Sequence, residues 1–308
     1  MAFMPGSRKL TTALANHLSG LRFDPLAQPE RDEVWPRVTV ITPSCNQARY
    51  LERTIISIHN QGYPNLEHIV IDGGSTDGSV DILRKYEKRF AYWRSEPDRG
   101  QSDAINLGAA KATGRYMMWL NSDDLLMPCA LNRMVEAFRS NPGADLVYGD
   151  QVEVDSTDKV IKKVLTSGFD IRDFIYEINI IIHQQSALWT TEIFHRVGGL
   201  QLFRYAMDYD LMYRMYDAGA VFVHIPGFLS GFRVHEGSLT GSGEVARRRG
   251  SEINVSFRSF TGRDPNGWDR AVRRPFYKIR RLMQNPRALA AALEHRLGRM
   301  FLERGEKR

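Results

Sequence analysis

The sequence predicts an α/β protein built on a mostly parallel sheet with helices on both faces. Between residue 37 and residue 150, short runs rich in β-branched residues alternate with segments whose apolar residues recur at helical spacing. This alternation is typical of parallel sheets, because the crossover between parallel strands is usually a helix. An apolar content of 43% and a charged content of 25% are ordinary for a globular protein, and no apolar run approaches the length of a membrane span.

The elements can be placed in order along the chain. The first strand is predicted at 37–44, and the helix after it ends at Gly62. The second strand, 66–72, breaks into a turn rich in Gly, Asp and Ser. From 151 to 240 the pattern is mixed, so this half is expected to pack beside the sheet. The other strands are predicted at 92–96, 115–120 and 144–150, and the helices at 46–62, 80–90, 100–114 and 128–139.

Three of the predicted strands end in polar residues, at 43–46, 72–77 and 121–124. Ligands of parallel sheets bind beyond the carboxyl ends of the strands, so these segments are the candidate site. Asp123 and Asp124 follow an apolar run where unpaired charge would be costly. The two acids therefore indicate either a strand exit that caps the next helix or a site that holds a cation.

Several classes of site are missing from the sequence. It contains no G-x-G-x-x-G after a strand and no G-x-x-x-x-G-K-[ST], which argues against a dinucleotide dehydrogenase and a P-loop NTPase. No Cys/His cluster predicts zinc, and no G-x-S-x-G predicts a hydrolase. Cys45 and Cys129 cannot form a disulfide framework, and the N-terminus lacks the features of a signal peptide. A cytoplasmic setting is expected.

The net charge of +6 is concentrated at the C-terminus. Residues 270–308 contain twelve basic and three acidic side chains, a net charge of +9, which leaves −3 for the other residues. A mildly acidic body argues against nucleic acid as a partner. The tail pattern predicts a helix whose apolar face either contacts an anionic membrane surface or packs on the protein's own core. The apolar residues of this face are Leu289, Leu293, Leu297, Met300 and Phe301.

Three segments together resemble glycosyltransferase family 2. They read "VTVITPSCNQARYLERTIISIHNQGYPNLEHIVIDGGSTDGS", "EPDRGQSDAINLGAAKATGRYMMWLNSDD" and "MDYDLMYRM", and the similarity runs from about Arg37 to Thr240. The resemblance implies the GT-A fold, a Rossmann-like and mostly parallel sheet. The chain is divided accordingly into an N-terminal extension (1–36), a catalytic domain (37–240) with a nucleotide-sugar half (37–125) and an acceptor half (126–240), and a helical basic extension (241–308).

The resemblance implies a metal site at the end of the fourth strand. The family's D-x-D motif corresponds to Asn121, Ser122 and Asp123, and Asn121 replaces the first acid. Asp123 is the expected ligand of Mg²⁺ or Mn²⁺, which neutralises the departing diphosphate as a Lewis acid. His235 matches a histidine that closes over the metal in several members. The structural alternatives are a helix cap for Asp123 and a solvated loop histidine for His235.

Asn121 and Ser122 of the D-x-D motif are also implied to contact the nucleotide sugar, as are several other positions. Asp72 matches an acid that accepts from the base, and its structural alternative is an Asx-turn. Asp103 and Asn106 lie three residues apart on one helix face, so contact with the donor and a solvated or capping pair both remain open. The tip of the first strand, which lines the nucleotide pocket of the family, corresponds to Thr42, Pro43 and Ser44.

The segment "MDYDLMYRM" implies the general base. Asp208 matches the second acid of the family's E-D motif, which takes the proton of the acceptor hydroxyl, and Met207 replaces the first. Asp210 is the competing acid, with a helix-start charge as its structural alternative. Asp208 is favoured because the family's base precedes an apolar or aromatic residue and a further acid in this order.

The sequence therefore predicts a metal-dependent, inverting enzyme of the hexosyltransferase type. It would move a sugar from a nucleotide-sugar donor to a saccharide or lipid-linked saccharide acceptor. The expected setting is bacterial polysaccharide, lipopolysaccharide or exopolysaccharide assembly, in the cytoplasm or peripheral on the inner membrane face. Because Asn121 and Met207 replace family acids, a catalytically silent nucleotide-sugar-binding subunit of an assembly complex is the alternative.

Overall fold

The computed structural model describes residues 35–177, 182–235 and 243–284. Most of the predicted N-terminal extension and the tail face from Leu289 to Phe301 lie outside the described residues. No helix in the described ranges is long and apolar enough to cross a membrane.

The described residues contain nine strands and nine α-helices. The strands are β1 (Val38–Ser44), β2 (Leu66–Asp72), β3 (Tyr92–Ser95), β4 (Tyr116–Trp119), β5 (Leu125–Leu126), β6 (Leu146–Val154), β7 (Val160–Val164), β8 (Ala187–Thr190) and β9 (Phe222–Arg233). The helices are α1 (Ala48–His59), α2 (Ser79–Tyr86), α3 (Gln101–Ala109), α4 (Ala130–Ser140), α5 (Ile171–Glu177), α6 (Thr191–Arg196), α7 (Met207–Asp217), α8 (Gly243–Thr261) and α9 (Arg274–Gln284).

The first half of the chain forms the predicted parallel sheet. Its strands lie in the order β3-β2-β1-β4, with parallel pairing throughout. All seven residues of β1 are buried, as expected for a strand covered by helices on both faces. The carboxyl ends of β1, β2 and β4 therefore meet at one edge. The mostly parallel α/β sheet predicted from the sequence is confirmed.

The start of α4 differs from the prediction. The sequence placed it at Pro128, whereas the helix begins at Ala130. Cys129 has a φ of 59°, a left-handed conformation that a right-handed helix cannot include. The helix therefore starts after this residue.

The mixed pattern of residues 151–240 predicted a half that packs beside the sheet. This prediction is wrong, because the strands of this half extend the same sheet. β8 runs antiparallel between β4 and β6, and β9 pairs parallel to β6. Pro226 and Gly227 interrupt the alternation of β9, and the register of its pairing with β6 shifts near Asp150. These interruptions explain why the sequence pattern did not reveal a twelve-residue strand. Trp119 and Trp189 pack edge to face across the junction, with centroids 5.0 Å apart.

The short pairing of β5 with β9 places the two parts of the site. Leu125 lies opposite Gly231, and Leu126 lies opposite Ser230. The loop before β5 is therefore next to the carboxyl end of β9. This pairing brings residues 121–124 and 233–235 together although they are more than 100 residues apart in the sequence.

The helices after β9 pack on the body of the protein. Ile253 and Phe257 of α8 are buried in the main core. In α9, Arg280 Nη2 donates to Asp170 Oδ2 at 2.6 Å and to Asp173 Oδ1 at 2.7 Å, beside α5. The turn before α9 is held at Asp269, whose pKa is lowered to about 2 by the Arg263 guanidinium. The first part of the basic C-terminal segment, up to α9, is therefore packed against the rest of the protein.

Candidate functional site

Asp123 and His235 meet at the carboxyl edge of the sheet. Asp123 lies in the loop between β4 and β5, and His235 follows β9. Asp123 Oδ2 and His235 Nε2 are 3.1 Å apart, and the two side chains are 18% and 10% exposed. A carboxylate and an imidazole that remain accessible to solvent at this distance can hold one cation between them.

Asp124 has a different surrounding. It is buried, and its Oδ1 accepts from the backbone N–H of Arg233 at 3.0 Å, while Asn121 Nδ2 lies 3.3 Å from Oδ2. Burial, and then the nearby charge of Asp123, raise the pKa of Asp124 well above its ordinary value. Its carboxylate therefore joins the loop to β9, and of the two adjacent acids Asp123 is the one placed for a ligand.

A buried arginine lies under the Asp123–His235 pair. Arg233 is completely buried, its Nε donates to the backbone carbonyl of Asp123 at 2.7 Å, and its Nη1 lies 2.6 Å from Asp158 Oδ1. The guanidinium stacks over the Tyr50 ring at 4.7 Å, and the Tyr50 and His235 ring centroids are also 4.7 Å apart. The ion pair with Asp158 offsets the cost of burying the charge. The stack fixes both the Asp123 backbone and the His235 ring.

Sequence reasoning missed Arg233 and Tyr50. The only signal was a lone arginine at the end of a strand, two residues before His235. Its carboxylate partner Asp158 is 75 positions away in a turn between β6 and β7, where it has a φ of 71°. A second cation, Arg53, contacts the other oxygen of Asp158 at 2.9 Å.

The tips of β1 and β2 lie beside each other, as the parallel pairing requires. Asp72 is completely buried and accepts from Ser75 N at 2.8 Å, from Ser75 Oγ at 2.6 Å and from Ser95 Oγ at 2.7 Å. The backbone bond reaches Ser75, three residues on, and not residue 74 as in an Asx-turn, so Asp72 holds the turn in a different way from the alternative that the sequence left open. Contact of Asp72 with a nucleotide base stays a prediction.

Two hydroxyl side chains near the end of β1 differ in their hydrogen bonding: that of Thr42 has a partner, and that of Ser44 has none in the described part of the chain. Thr42 Oγ1 lies 3.0 Å from His68 Nε2, inside the sheet. Ser44 Oγ is buried without a hydrogen-bond partner in the described part of the chain, and Pro43 lies between the two. A buried hydroxyl without a partner is rare in folded proteins and is compatible with a ligand group at this edge. The nucleotide contacts of these residues stay predictions.

The two α3 residues are engaged within the protein. Asp103 accepts from Arg99 Nη2 at 2.7 Å, and this hydrogen bond lowers its pKa. Asn106 donates to the Leu200 carbonyl at 2.8 Å and accepts from the Leu200 N–H at 2.9 Å. The NH2 group and the carbonyl oxygen of the Asn106 side chain are thus both used to hold the turn before α7. Contact of Asp103 and Asn106 with the donor stays a prediction.

Asn121 and Ser122 hold the loop in shape. Asn121 Oδ1 accepts from Gln101 Nε2 at 2.6 Å, and Thr54 Oγ1 donates to the Ser122 carbonyl at 3.0 Å. At the next position of α3, Ser102 Oγ lies 3.0 Å from Met207 Sδ. The start of α3 therefore touches both the loop of residues 121–124 and the first residue of α7.

The two acids of α7 have different surroundings. Asp208 is half-buried in the first turn, where its Oδ1 accepts from the Tyr209 N–H at 3.0 Å. Asp210 is buried, and Arg214 Nε and Nη2 lie 2.7 and 2.6 Å from its Oδ2. Arg214 also donates to the Val197 carbonyl at 2.6 Å, so this ion pair is part of the packing. Asp210 is therefore held in the packing, and the choice of Asp208 as the general base stays a prediction.

The described residues contain no group of three or more His, Cys, Asp or Glu side chains that could hold a metal ion by themselves. Asp123 and His235 supply two donors. Mg²⁺ and Mn²⁺ bind in octahedral geometry and often keep several ligands from substrate phosphates and water. A two-residue protein site fits a cation of this kind when a diphosphate completes its shell.

Comparisons with known proteins agree with this arrangement. The model of the family "Glycosyl transferase family 2" matches residues 39–212. An uncharacterized glycosyltransferase of Mycobacterium tuberculosis (strain CDC 1551 / Oshkosh) is 36% identical over 183 residues, which are 58% of this chain and 68% of the relative. TuaG of Bacillus subtilis (strain 168), provisionally assigned to teichuronic acid biosynthesis, is 40% identical over 104 residues, 33% of this chain and 41% of TuaG.

A solved structure has the same fold. It is the mannosyltransferase PcManGT of Pyrobaculum calidifontis, in complex with GDP-Man and Mn²⁺, with a TM-score of 0.58 and 22% sequence identity. The alignment covers 94% of this chain and 81% of that protein. The similarity confirms the GT-A fold predicted from the sequence. Since the family model spans more than half of the chain, from β1 into α7, the protein belongs to glycosyltransferase family 2.

Proposed function

We propose that this glycosyltransferase is a metal-dependent, inverting enzyme of the hexosyltransferase type that uses a nucleotide-sugar donor. The observation that carries the proposal is the 3.1 Å approach of Asp123 and His235, from segments 112 residues apart, at the sheet edge where ligands of such folds bind. PcManGT, which shares the fold, was solved with a nucleotide sugar and Mn²⁺.

Asp123 and His235 would hold Mg²⁺ or Mn²⁺ against the donor diphosphate. The cation supplies Lewis-acid stabilisation of the negative charge that develops on the leaving diphosphate. Of the two ions, Mn²⁺ accepts an imidazole ligand more readily, because Mg²⁺ strongly prefers oxygen ligands. The Arg233–Tyr50 stack keeps the two ligands in place, so they need little reorganisation when the donor binds.

Asp208 would act as the general base. Its carboxylate accepts the proton of an acceptor hydroxyl while that oxygen forms the bond to the anomeric carbon and the bond to the diphosphate breaks. Attack from the face opposite the leaving group inverts the configuration of this carbon. A positioned base typically contributes 10²- to 10⁴-fold to the rate. The ion pair of Asp210 with Arg214 supports the choice of Asp208 over Asp210.

The tips of β1 and β2 would bind the nucleotide, with Ser44 Oγ as a free hydrogen-bonding group and Asp72 as the acid near the base. The acceptor would be a saccharide or a lipid-linked saccharide in bacterial polysaccharide assembly. The provisional role of TuaG in teichuronic acid biosynthesis supports this setting.

A second candidate function is a silent nucleotide-sugar-binding subunit. Two observations favour it: Asn121 is used in hydrogen bonds with Gln101 and Asp124, and Met207 packs on Ser102. Both positions, which are acidic in the family, therefore serve the packing here. A screen for nucleotide release from GDP- and UDP-sugars, with and without Mn²⁺, separates the two candidates. The enzyme hydrolyses or transfers at least one donor only with metal, whereas the silent subunit binds donors without turnover.

The protein is also proposed to contact an anionic membrane surface through its C-terminal segment. Five apolar side chains are exposed in residues 268–284, where a short π-helix (Asp269–Arg273) leads into α9, and they follow one another at spacings of four, four, three and four residues. They are Trp268 (62% exposed), Val272 (41%), Phe276 (59%), Ile279 (58%) and Met283 (77%). An exposed apolar face on a basic segment is typical of helices that lie in a membrane interface, where each cation near the surface contributes about 1 kcal/mol.

Truncation after Asp269 would be a poor test of membrane binding. It would remove Arg280 and leave Asp170 and Asp173, beside and within α5, without the hydrogen bonds that this arginine donates. The double substitution Phe276→Ser and Ile279→Ser leaves these contacts in place. We expect wild-type protein to sediment with vesicles containing anionic phospholipid at low salt, less so as salt rises, and the double variant to bind at least tenfold more weakly. Ile161→Ser with Val221→Ser, which removes similarly exposed side chains elsewhere, is the control. Wild-type protein that stays in the supernatant at low salt contradicts the proposal.

A further inference from the structure

A carboxylate from a late helix holds the segment that leads into α7. Glu252 of α8 accepts three backbone hydrogen bonds from consecutive residues. Its Oε1 accepts from Arg204 N at 3.1 Å, and its Oε2 accepts from Tyr205 N at 2.7 Å and Ala206 N at 2.9 Å. The helix α7 begins at the next residue, Met207, and carries Asp208 in its first turn. Glu252 lies 40 residues beyond the end of the family match at 212.

The start of α7 needs this acceptor. Ala206 occupies the N-cap position, has no side-chain oxygen and is completely buried. The N–H groups at a helix start have no partner within the helix, and a buried N–H without an acceptor is costly. A carboxylate also interacts favourably with the positive end of the helix dipole. Glu252 supplies both the acceptor and the charge from a separate helix.

The position of Glu252 is fixed by the packing of α8 along α7. Ile253 and Phe257 are buried in the main core, and the Phe260 ring stacks on Tyr213 with centroids 5.2 Å apart. Glu252 contacts the start of α7 and Phe260 contacts its middle, so the two helices run in the same direction. Glu252 and Phe260 are eight positions apart, and Ala206 and Tyr213 are seven positions apart, so the two stretches span nearly equal lengths at about 1.5 Å per residue.

We propose that Glu252 is a positioning residue for the reaction, acting through Asp208. By fixing the backbone of residues 204–206, its carboxylate sets where the first turn of α7 begins and therefore where the Asp208 carboxylate is held. The proposal rests on the proposed role of Asp208 as the general base. A misplacement of about 1 Å in a reacting group can cost 10²-fold in rate.

The test compares steady-state kinetics of Glu252→Ala and wild-type protein with the donor that the screen identifies. We expect Glu252→Ala to lower kcat about tenfold or more, with the Mn²⁺-dependent affinity for the nucleoside diphosphate unchanged. Asp123 and His235 are attached to elements other than α7, so we expect the affinity for the nucleoside diphosphate to change little. Glu192→Ala is the matched control: Glu192 is also an acid in the first turn of a helix, its side chain is 85% exposed, and its removal leaves kcat unchanged.

A double-mutant cycle with Asp208→Asn shows whether Glu252 acts through the base. If it does, Glu252→Ala causes little further loss of kcat once Asp208 has been replaced. An equal fold-loss in both backgrounds, or a fall in nucleotide affinity that parallels the fall in kcat, overturns the positioning role. Thermal unfolding monitors the fold, and Glu252→Gln, which keeps one acceptor oxygen, replaces the alanine variant if the latter does not fold. We expect an intermediate kcat for the glutamine variant.

The failure of each proposal has its own signature. If Asp208→Asn turns over at the wild-type rate, the assignment of the base is wrong, and the positioning role falls with it. If Asp208→Asn is slow but Glu252→Ala and Glu252→Gln both turn over at the wild-type rate, the base assignment stands and the positioning role alone is wrong.

Discussion

Asp208→Asn is expected to lower kcat by two or more orders of magnitude while changing donor affinity little. Asparagine keeps the size of the side chain and can still accept from the Tyr209 N–H, but it cannot take up the acceptor proton. A group used only in the transition state lowers kcat and kcat/KM together when it is removed. Initial rates of nucleotide release with saturating acceptor measure the effect, and titration of the donor measures the affinity.

The control for this substitution is Asp217→Asn. Asp217 is an exposed acid in the last turn of the same helix, so its change removes the same charge from α7 without touching the site. We expect its kcat to equal that of the wild type. If Asp208→Asn keeps the wild-type rate, Asp208 is not the base, and Asp210 would have to leave its ion pair with Arg214 to serve instead.

Asp123→Asn is expected to abolish the dependence of donor binding on metal. An amide is a much weaker ligand than a carboxylate for a hard divalent cation, while it retains a carbonyl oxygen that can lie near His235. Loss of an outer partner of a metal ligand typically costs 10- to 100-fold in affinity, so loss of the ligand itself should cost at least as much. Calorimetric titration of the nucleoside diphosphate, with and without Mn²⁺, gives the affinities.

Asp81→Asn is the matched control for Asp123→Asn. Asp81 is an acid in the first turn of α2, and its side chain is 80% exposed. Among the described residues, its ion pair is with Arg84. Its replacement should leave the effect of Mn²⁺ as in the wild type. An Asp123→Asn protein in which Mn²⁺ still increases nucleotide affinity to the wild-type extent would show that the cation binds elsewhere.

Much of the first half of the fold could be predicted from the sequence, because it depends on local patterns. The runs at Val38–Ser44 and Leu66–Asp72 are β-rich, and each is bounded by turn residues, so these strands and the parallel sheet could be predicted. The second half could not be predicted in this way. β9 contains Pro226 and Gly227, and its place in the sheet is set by pairing with β6 and β5, which no local pattern encodes.

The candidate site shows the same division. Asp123 could be selected from its motif, and His235 from a resemblance, because each lies in a recognisable stretch. Arg233 and Glu252 could not, since their roles come from contacts with backbone groups of residues 46 or more positions away. Asn106 is the opposite case: it lies in a family-like stretch, yet its amide is used to hold Leu200. Motifs identify chemical groups, whereas long-range packing decides which of them face a ligand.

The anomeric configuration of the product tests the central claim most directly. The donor identified by the screen is incubated with acceptor and Mn²⁺, and the configuration of the new glycosidic linkage is assigned by NMR from its one-bond C1–H1 coupling constant. We predict a single product whose anomeric configuration is opposite to that of the donor, formed by the wild type and lost at least 100-fold in rate with Asp208→Asn. A product with the donor's configuration, or donor binding without any product, would contradict the assignment of this protein as an inverting transferase with Asp208 as its base.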